Sequence, residues 1–179
     1  TYSYDAQDRL VSTTDRRGQV TRFEYDPVER LLRTIDPLGQ VRSWSYDAAG
    51  NPLVATDARG NITTWEYDAR DRVTQQIDAG GFVQFWRYDA AGRLTEFVDA
   101  AGATSAYAYD ANHQVLEFRD ALNNVHLYTY DAAGNRTSAT DPLGRTSRWN
   151  YDALDRVISA QDAAGATTQF EYDAIGKLT

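Results

Sequence analysis

Several residue types that commonly build active sites are absent or rare in this sequence of 179 residues. There is no cysteine, which excludes a disulfide framework and a thiolate metal site. Methionine is also absent, and lysine occurs once, at Lys177, against seventeen arginines. No apolar run approaches the roughly 18 residues that a membrane-spanning helix requires, so no membrane span is predicted.

Acidic residues outnumber basic ones, with 26 Asp and Glu against 18 Lys and Arg and a net charge of -8. This balance argues against a nucleic-acid partner, because phosphates are neutralised by Lys and Arg. The acidity is local in origin, since 17 of the acidic residues are Asp at two positions of a repeat. These residues are predicted to be solvated turn residues.

The repeat itself is a Tyr-Asp pair that recurs every 21 residues along the whole chain. A fixed period of this length is typical of folds in which one unit is stacked on its neighbours. No linker or change in composition interrupts the period. We therefore expect a single repeat array over residues 1–179, of about eight and a half units, truncated at both ends relative to a longer array.

Each unit contains two D-x-x-G marks, which are typical of type I turns followed by a residue with positive φ. The first mark begins at the Asp of the Tyr-Asp pair, and its fourth residue is Gly or a polar substitute. The second mark is the more regular, with Asp120 and Asn123 as its variant. Its other members are Asp15, Gly18, Asp36, Gly39, Asp57, Gly60, Asp78, Gly81, Asp99, Gly102, Asp141, Gly144, Asp162 and Gly165.

The segments between the turns have the length and composition of β-strands, as in VTRFEY at 20–25 and ITTWEY at 62–67. A turn every ten or eleven residues leaves no room for a helix. We therefore predict an all-β fold in which each unit is a β-hairpin. Successive hairpins are expected to form a continuous antiparallel meander of roughly 17 strands.

Two aromatic positions recur in each unit, the Tyr of the pair and a residue two positions before it. Strand alternation places both on one face, where we expect structural aromatic rows. The Tyr row is Tyr4, Tyr25, Tyr46, Tyr67, Tyr88, Tyr109, Tyr130, Tyr151 and Tyr172. The second row is Phe23, Trp44, Trp65, Trp86, Tyr107, Tyr128, Trp149 and Phe170, preceded by Tyr2. The residue directly before each Tyr varies and belongs to the opposite face.

Nothing in the pattern indicates catalysis. There is no nucleophile elbow, phosphate-binding loop, H-E-x-x-H motif or dinucleotide fingerprint. His113 and His126 are isolated substitutions without Cys partners. The Asp residues that begin the two turns of each repeat could in principle act as glycosidase carboxylates or as calcium ligands. Exposed turn residues have no cause for the raised pKa of a glycosidase acid, and each turn offers one Asp where a calcium loop supplies several ligands. We predict a non-catalytic chain with no cofactor and no metal.

The segments YDAAGNPLVATDARGN (46–61), YDAAGRLTEFVDAAGA (88–103) and YDAAGNRTSATDPLGR (130–145) resemble the YD-repeat, or Rhs-repeat, family. That family includes bacterial Rhs polymorphic toxins, the C component of insecticidal toxin complexes and animal teneurins. The resemblance implies a curved or spiralling sheet that is a segment of a hollow β-cocoon. It also implies that the parent protein encapsulates a C-terminal toxic or effector domain before delivery.

The same resemblance implies partners and a location. The partners would be the rest of the parent shell and the enclosed effector domain, in a secreted or cell-surface bacterial protein delivered by a secretion system. Rhs toxins end their shell at a DPxGL-type motif. Asp36-Pro37-Leu38-Gly39 and Asp141-Pro142-Leu143-Gly144 are followed here by Gln40 and Arg145, and we interpret both as ordinary turns.

Two further interpretations follow from the strand pattern. If the aromatic rows are exposed, their rings could stack on sugars, and the chain would be a cell-surface carbohydrate-binding or adhesion module. Open strand edges at the ends of a sheet are sites for pairing with another chain, so we also expect self-association.

Overall fold

The computed structural model describes residues 1–179 and contains strands and turns but no helix. Its 17 strands belong to one antiparallel sheet, which confirms the predicted all-β meander of hairpins. Strands that follow one another in the chain are hydrogen-bonded neighbours in each unit described below. No helix that could span a membrane is present.

The chain divides into two compact units, the first comprising Thr1–Trp86 and Asp99–Gly102. Its strands alternate between six and five residues after a short first strand. They are β1 (Tyr2–Tyr4), β2 (Leu10–Thr14), β3 (Val20–Tyr25), β4 (Leu31–Ile35), β5 (Val41–Tyr46), β6 (Pro52–Thr56), β7 (Ile62–Tyr67), β8 (Val73–Ile77) and the first four residues of β9 (Val83–Tyr88).

The second unit comprises Arg87–Val98 and Ala103–Thr179 and repeats the same alternation. Its strands after the end of β9 are β10 (Leu94–Val98), β11 (Thr104–Tyr109), β12 (Val115–Arg119), β13 (Val125–Tyr130), β14 (Arg136–Thr140), β15 (Thr146–Tyr151), β16 (Val157–Gln161) and β17 (Thr167–Gln169). An isolated bridge between Tyr172 and Leu178 follows β17. That these residues form a single repeat array, truncated at both ends, stays a prediction.

A β-bulge lies beside the Tyr of each first hairpin. In β3 and β4, Glu24 is opposite Arg33 but Tyr25 is opposite Leu31, so Leu32 is the extra residue. Pro52 lies in β6, where proline is expected to cause a bulge or a lost ladder bond. The shift from Ser45 to Tyr46 beside Pro52 is instead the same as in the other repeats, so it belongs to the repeat and not to proline.

The molecule has no hydrophobic core. No apolar side chain is buried, and the only buried polar residue is Asp26, which is 8% exposed. In β3, Phe23 and Tyr25 are half-buried while Glu24 between them is exposed, and the other six-residue strands follow the same alternation. Because a single sheet has no second layer to pack against, its stability must come from contacts along the sheet.

Candidate functional site

Both turns of the repeat are organised by the Asp at their first position. In the first turn of the second repeat, Asp26 Oδ1 accepts hydrogen bonds from the amides of Val28 (3.0 Å) and Arg30 (2.9 Å). In the second turn, Asp36 Oδ1 accepts them from the amides of Leu38 (2.9 Å) and Gln40 (2.8 Å). The Asp side chains are therefore engaged by the backbone of their own turns.

The fourth turn residue has positive φ, the region that favours glycine. The structure places the predicted second-turn glycines there, with Asn123 (φ 63) as their substitute. In the first turns the same conformation is adopted by glycine in four repeats and by a non-glycine residue in the other five, which include His113. The five are Asp8, Glu29, Asp71, His113 and Asp155.

An arginine four residues after the first-turn Asp joins one repeat to the next, and sequence reasoning missed it. Arg30 Nε donates to Asp26 Oδ2 (2.6 Å), and Arg30 Nη1 donates to the carbonyl oxygen of Asp47 in the following repeat (2.6 Å). The guanidinium also lies 4.9 Å from the ring centroid of Tyr46, a cation–π contact. We call this arrangement the first-turn clamp.

The complete clamp recurs at Arg9 and Arg93, whereas Arg156 keeps the ion pair with Asp152 and the contact with the Tyr172 ring (4.5 Å) without the carbonyl bond. Arg9 and Arg93 donate to the carbonyl oxygens of Asp26 (3.1 Å) and Asp110 (2.6 Å). Where the residue is Asn, as at Asn51, the amide bridges its own Asp47 and the next repeat's Asp71 (2.7 Å). The signal was present in the sequence as Arg at 21-residue spacing, but the general excess of Arg over Lys concealed it.

The Tyr hydroxyl makes a second contact between repeats. Tyr46 Oη donates to the carbonyl oxygen of Leu31 (2.8 Å), fifteen residues earlier in the preceding repeat. The same bond is made by Tyr25, Tyr46, Tyr67, Tyr109, Tyr130, Tyr151 and Tyr172. The Tyr of the repeat motif thus contributes a directed hydrogen bond in addition to its ring.

The electrostatics of the first turns favour ionised Asp. The side-chain hydrogen bond from Arg72 is the main cause that lowers the pKa of Asp68 to about 2, against a smaller opposing effect of desolvation. Hydrogen bonds from the side chain and the amide of Arg156 likewise lower the pKa of Asp152. Desolvation raises the pKa of the Tyr109 hydroxyl, so this hydroxyl stays protonated and able to donate to a higher pH than an exposed Tyr.

The second aromatic row is half-buried, and its members contact the strand between them. Phe23 is paired with Thr34, and Trp44 with Ala55. Tyr107 is paired with Phe118, where the ring centroids are 5.0 Å apart. Successive rings of the row are therefore separated by an intervening strand. The residue of that strand that is paired with the ring differs from one repeat to the next.

Arg136 and His126 stand on the aromatic face among these rings. Arg136 lies 5.7 Å from the Tyr128 ring centroid and 4.9 Å from that of Trp149. His126 is tilted against Phe118 at 5.7 Å. His113 and His126 are thus placed apart, in a turn and on the strand face, respectively. No group of three or more His, Cys, Asp or Glu side chains has an arrangement that could hold a metal ion.

Comparison with known proteins agrees with this repeat geometry. The family described as RHS Repeat matches residues 4–41, 30–62, 46–83, 88–125, 109–146, 130–167 and 151–179. A search of curated proteins finds no match. Among solved structures, the crystal structure of TcdB2-TccC3-TEV has a TM-score of 0.54 at 17% identity, covering 99% of this chain and 12% of that chain.

A further similar structure is that of the Photorhabdus luminescens Tc holotoxin pore, at 15% identity and a TM-score of 0.46, covering 99% of this chain and 15% of that chain. The chain therefore spans less than a fifth of the length of the structures that it matches. The family matches together cover residues 4–83 and 88–179, and six of the seven begin at the Tyr of a Tyr-Asp pair. The chain belongs to the RHS repeat family.

Proposed function

We propose that this chain is a wall segment of a hollow shell, and that its parent protein encloses a C-terminal toxic or effector domain before delivery. Its role is steric and mechanical, and it is non-catalytic. The proposal is supported most directly by the contacts between repeats. Arg30 and Tyr46 connect neighbouring hairpins through hydrogen bonds to backbone carbonyls, which stabilise a sheet that has no core.

A wall built in this way suits containment. A single sheet encloses volume with little protein mass, and contacts that recur between neighbouring repeats allow further repeats to be added. The similarity to the TcdB2-TccC3-TEV structure, of which this chain covers 12%, is one of fold, and it supports the idea that further repeats complete the wall. We infer that the partners of this segment are the rest of the parent shell and the enclosed domain.

The same proposal includes a location and an assembly state. A shell that delivers an effector acts outside the producing cell, so we place the parent among secreted or cell-surface bacterial proteins. The isolated segment has open strand edges at β1 and β17, whose residues are exposed. We expect these edges to pair between copies. Light scattering tests this, since a mass independent of concentration would contradict it.

Carbohydrate binding by the aromatic rows is the alternative function. The rings are half-buried, the Tyr hydroxyls donate to backbone carbonyls, and arginines cover ring faces at Tyr46 and Tyr109. These contacts favour a structural role for the rows. A titration with neutral cell-surface sugars monitored by Trp fluorescence tests this alternative. Saturable quenching would favour carbohydrate binding over a role as a shell wall.

The shell proposal is tested in the full parent protein by limited proteolysis. We expect its C-terminal domain to resist protease in the native parent. Replacing Arg9, Arg30 and Arg93 with Ala should make that domain cleavable, because the wall opens where clamps are lost. Arg145→Ala is the matched control, since Arg145 contacts only its own turn. A C-terminal domain that is cleaved equally fast in the native parent would contradict enclosure.

A further inference from the structure

The strands at the C-terminal end of the second unit carry no acidic side chains. We define the variable face as the sheet face opposite the aromatic rows. Strands β13–β17 contain no Asp or Glu on either face. On the variable face they present mainly hydroxyl and amide groups and a single arginine, Arg148, whose side chain is exposed and has no carboxylate partner.

Arg148 borders a surface cavity of about 460 Å³ on these strands. Thr129, Ser138, Asn150, Ser159 and Gln161 also line the cavity. The register places Arg148 opposite Ser138 on one side and Gln161 on the other. Several of these groups are held by one another, with Thr129 Oγ1 2.6 Å from Ser138 Oγ and Asn150 Nδ2 donating to Ser159 Oγ at 3.0 Å. The cavity therefore offers oriented donors and acceptors around one guanidinium.

Three strand arginines of the molecule are neutralised locally, whereas Arg22 and Arg42, like Arg148, have no carboxylate partner. Arg33 is 3.5 Å from Glu24, Arg87 is 2.7 Å from Glu96 and Arg119 is 3.0 Å from Glu117. A guanidinium without such a partner keeps its five donors for an external acceptor. Arg148 is thus chemically different from arginines that only balance charge on the sheet.

The same repeat position is occupied by Arg22 in the first unit, which provides an internal comparison. Both arginines are opposite a serine, Ser12 or Ser138. On the other side Arg22 meets Ile35, whereas Arg148 meets Gln161. The cavity beside Arg22 is also about 460 Å³, but its lining combines the apolar Val20, Ile35 and Leu38 with Gln19 and the acidic Asp36. A lining made mainly of uncharged polar side chains is therefore found at Arg148 and not at Arg22.

We propose that the cavity at Arg148 binds a carboxylate carried on a hydroxyl-rich frame, as in a uronic acid sugar. Arg148 pairs with the carboxylate, and Ser138, Asn150 and Gln161 exchange hydrogen bonds with the neighbouring hydroxyls. One arginine on a chain of net charge -8 suits a single carboxylate better than a polyanion. This inference is independent of the shell proposal and uses the face opposite the aromatic rows.

The test is an NMR titration of the whole chain with methyl β-D-glucuronide, with methyl β-D-glucoside as the neutral control. These probes differ only at C6, which is a carboxylate in the glucuronide and a hydroxymethyl group in the glucoside. We expect the glucuronide to bind at least about tenfold more tightly, with shifts centred on Arg148 and Gln161. N-acetylglutamate amide, which carries a carboxylate without hydroxyls, should bind at least about tenfold more weakly than the glucuronide.

Substitutions then test whether Arg148 and its neighbours form the binding site. Arg148→Gln should weaken glucuronide binding about tenfold, whereas Arg22→Gln should change it less than about twofold. Asn150→Asp should also weaken binding, because it supplies Arg148 with an internal carboxylate two residues along the same face. Unchanged spectra elsewhere would show that each variant is folded, and these side chains are exposed.

Three results would overturn the proposal. Equal binding of glucoside and glucuronide would mean that no carboxylate is recognised. Equal binding of N-acetylglutamate amide would mean that the hydroxyl frame is not recognised and that an acidic peptide fits equally well. Unchanged affinity in Arg148→Gln, or an equal loss in Arg22→Gln, would place binding elsewhere.

Discussion

The two rows of turns in the repeat share one backbone geometry but differ in what they connect. In both rows an Asp accepts hydrogen bonds from amides two and four residues later, as at Asp26 and Asp36. The side chain four residues after the first-turn Asp reaches the next repeat, as Arg30 does. In the second-turn row, Asn61 and Asn124 reach only their own Asp.

This difference depends on position and not on residue type. Arg145 stands in the second-turn row with the same spacing from its Asp as Arg30, yet it bonds only to Asp141 and is 62% exposed, against 29% for Arg30. The first-turn row also receives the Tyr hydroxyl bonds from the following repeat, as at Leu31. One row therefore joins the repeats, and the other row closes individual hairpins.

The largest expected effect is acid unfolding that begins in the first-turn row. The pKa of Asp68 is about 2, below its ordinary value of 3.8, so the stability from its ionised form is fully present above about pH 4 and is lost as the pH falls towards 2. The pKa is also lowered for Asp5, Asp26, Asp47, Asp89, Asp131 and Asp152 in that row, and for Asp57, Asp120 and Asp141 in the other.

Urea unfolding followed from about pH 5 to about pH 2 measures this loss. Asp68→Asn should flatten the pH dependence more than Asp57→Asn does, because the hydrogen bond from Arg72 is the largest cause of the low pKa of Asp68. A free energy of unfolding that stays constant down to about pH 2 would contradict the role of ionised turn carboxylates.

Removing a clamp arginine should be costly in one row only. Arg30→Ala should lower the free energy of unfolding by about 2 kcal/mol, because it removes a bond to the Asp47 carbonyl and a cation–π contact with Tyr46. Arg145→Ala should cost less than about 1 kcal/mol, as exposed ion pairs do. If urea unfolding shows equal losses of unfolding free energy for Arg30→Ala and Arg145→Ala, the two rows of turns do not differ in the way proposed.

The Tyr hydroxyl is expected to have a smaller effect. Tyr46→Phe should cost about 1 kcal/mol, since it leaves the carbonyl of Leu31 without its donor. Tyr4→Phe is the matched control, because Tyr4 is 58% exposed and makes no side-chain hydrogen bond in the structure. Thermal unfolding of the two variants gives the comparison. An equal loss of stability in Tyr4→Phe would show that the hydrogen bond of the Tyr46 hydroxyl is not the cause of the effect.

The smallest expected effect is a gain in stability at a turn. Glu29 has φ 68, a conformation that strains an L-residue, so Glu29→Gly should stabilise the chain by up to about 1 kcal/mol. Gly39→Ala should destabilise by a similar amount, although a Cβ there would meet no atom within 4 Å, so the cost is one of backbone conformation alone. Thermal unfolding measures both variants, and the prediction requires that Glu29→Gly raises the melting temperature and that Gly39→Ala lowers it.

Much of the fold could be predicted from the sequence because it is set by local preferences. The strands at 20–25 and 62–67 have the predicted bounds, since Asp and Gly define the turns on either side. The clamp could not be derived in this way. Arg30 was visible as a recurring residue, but its reach to Asp47, seventeen residues away, depends on the register of two hairpins.

The sequence by itself determined the period, the positions of the turns and the face of each strand residue. These follow from φ preferences at the turns and from the alternation of side chains along a strand. Only the tertiary structure decided that Tyr46 bonds to Leu31 and that Arg148 faces Gln161 where Arg22 faces Ile35. Such pairs join residues more than ten positions apart, and their contact depends on strand pairing and on the bulge beside each Tyr, which local preferences do not specify.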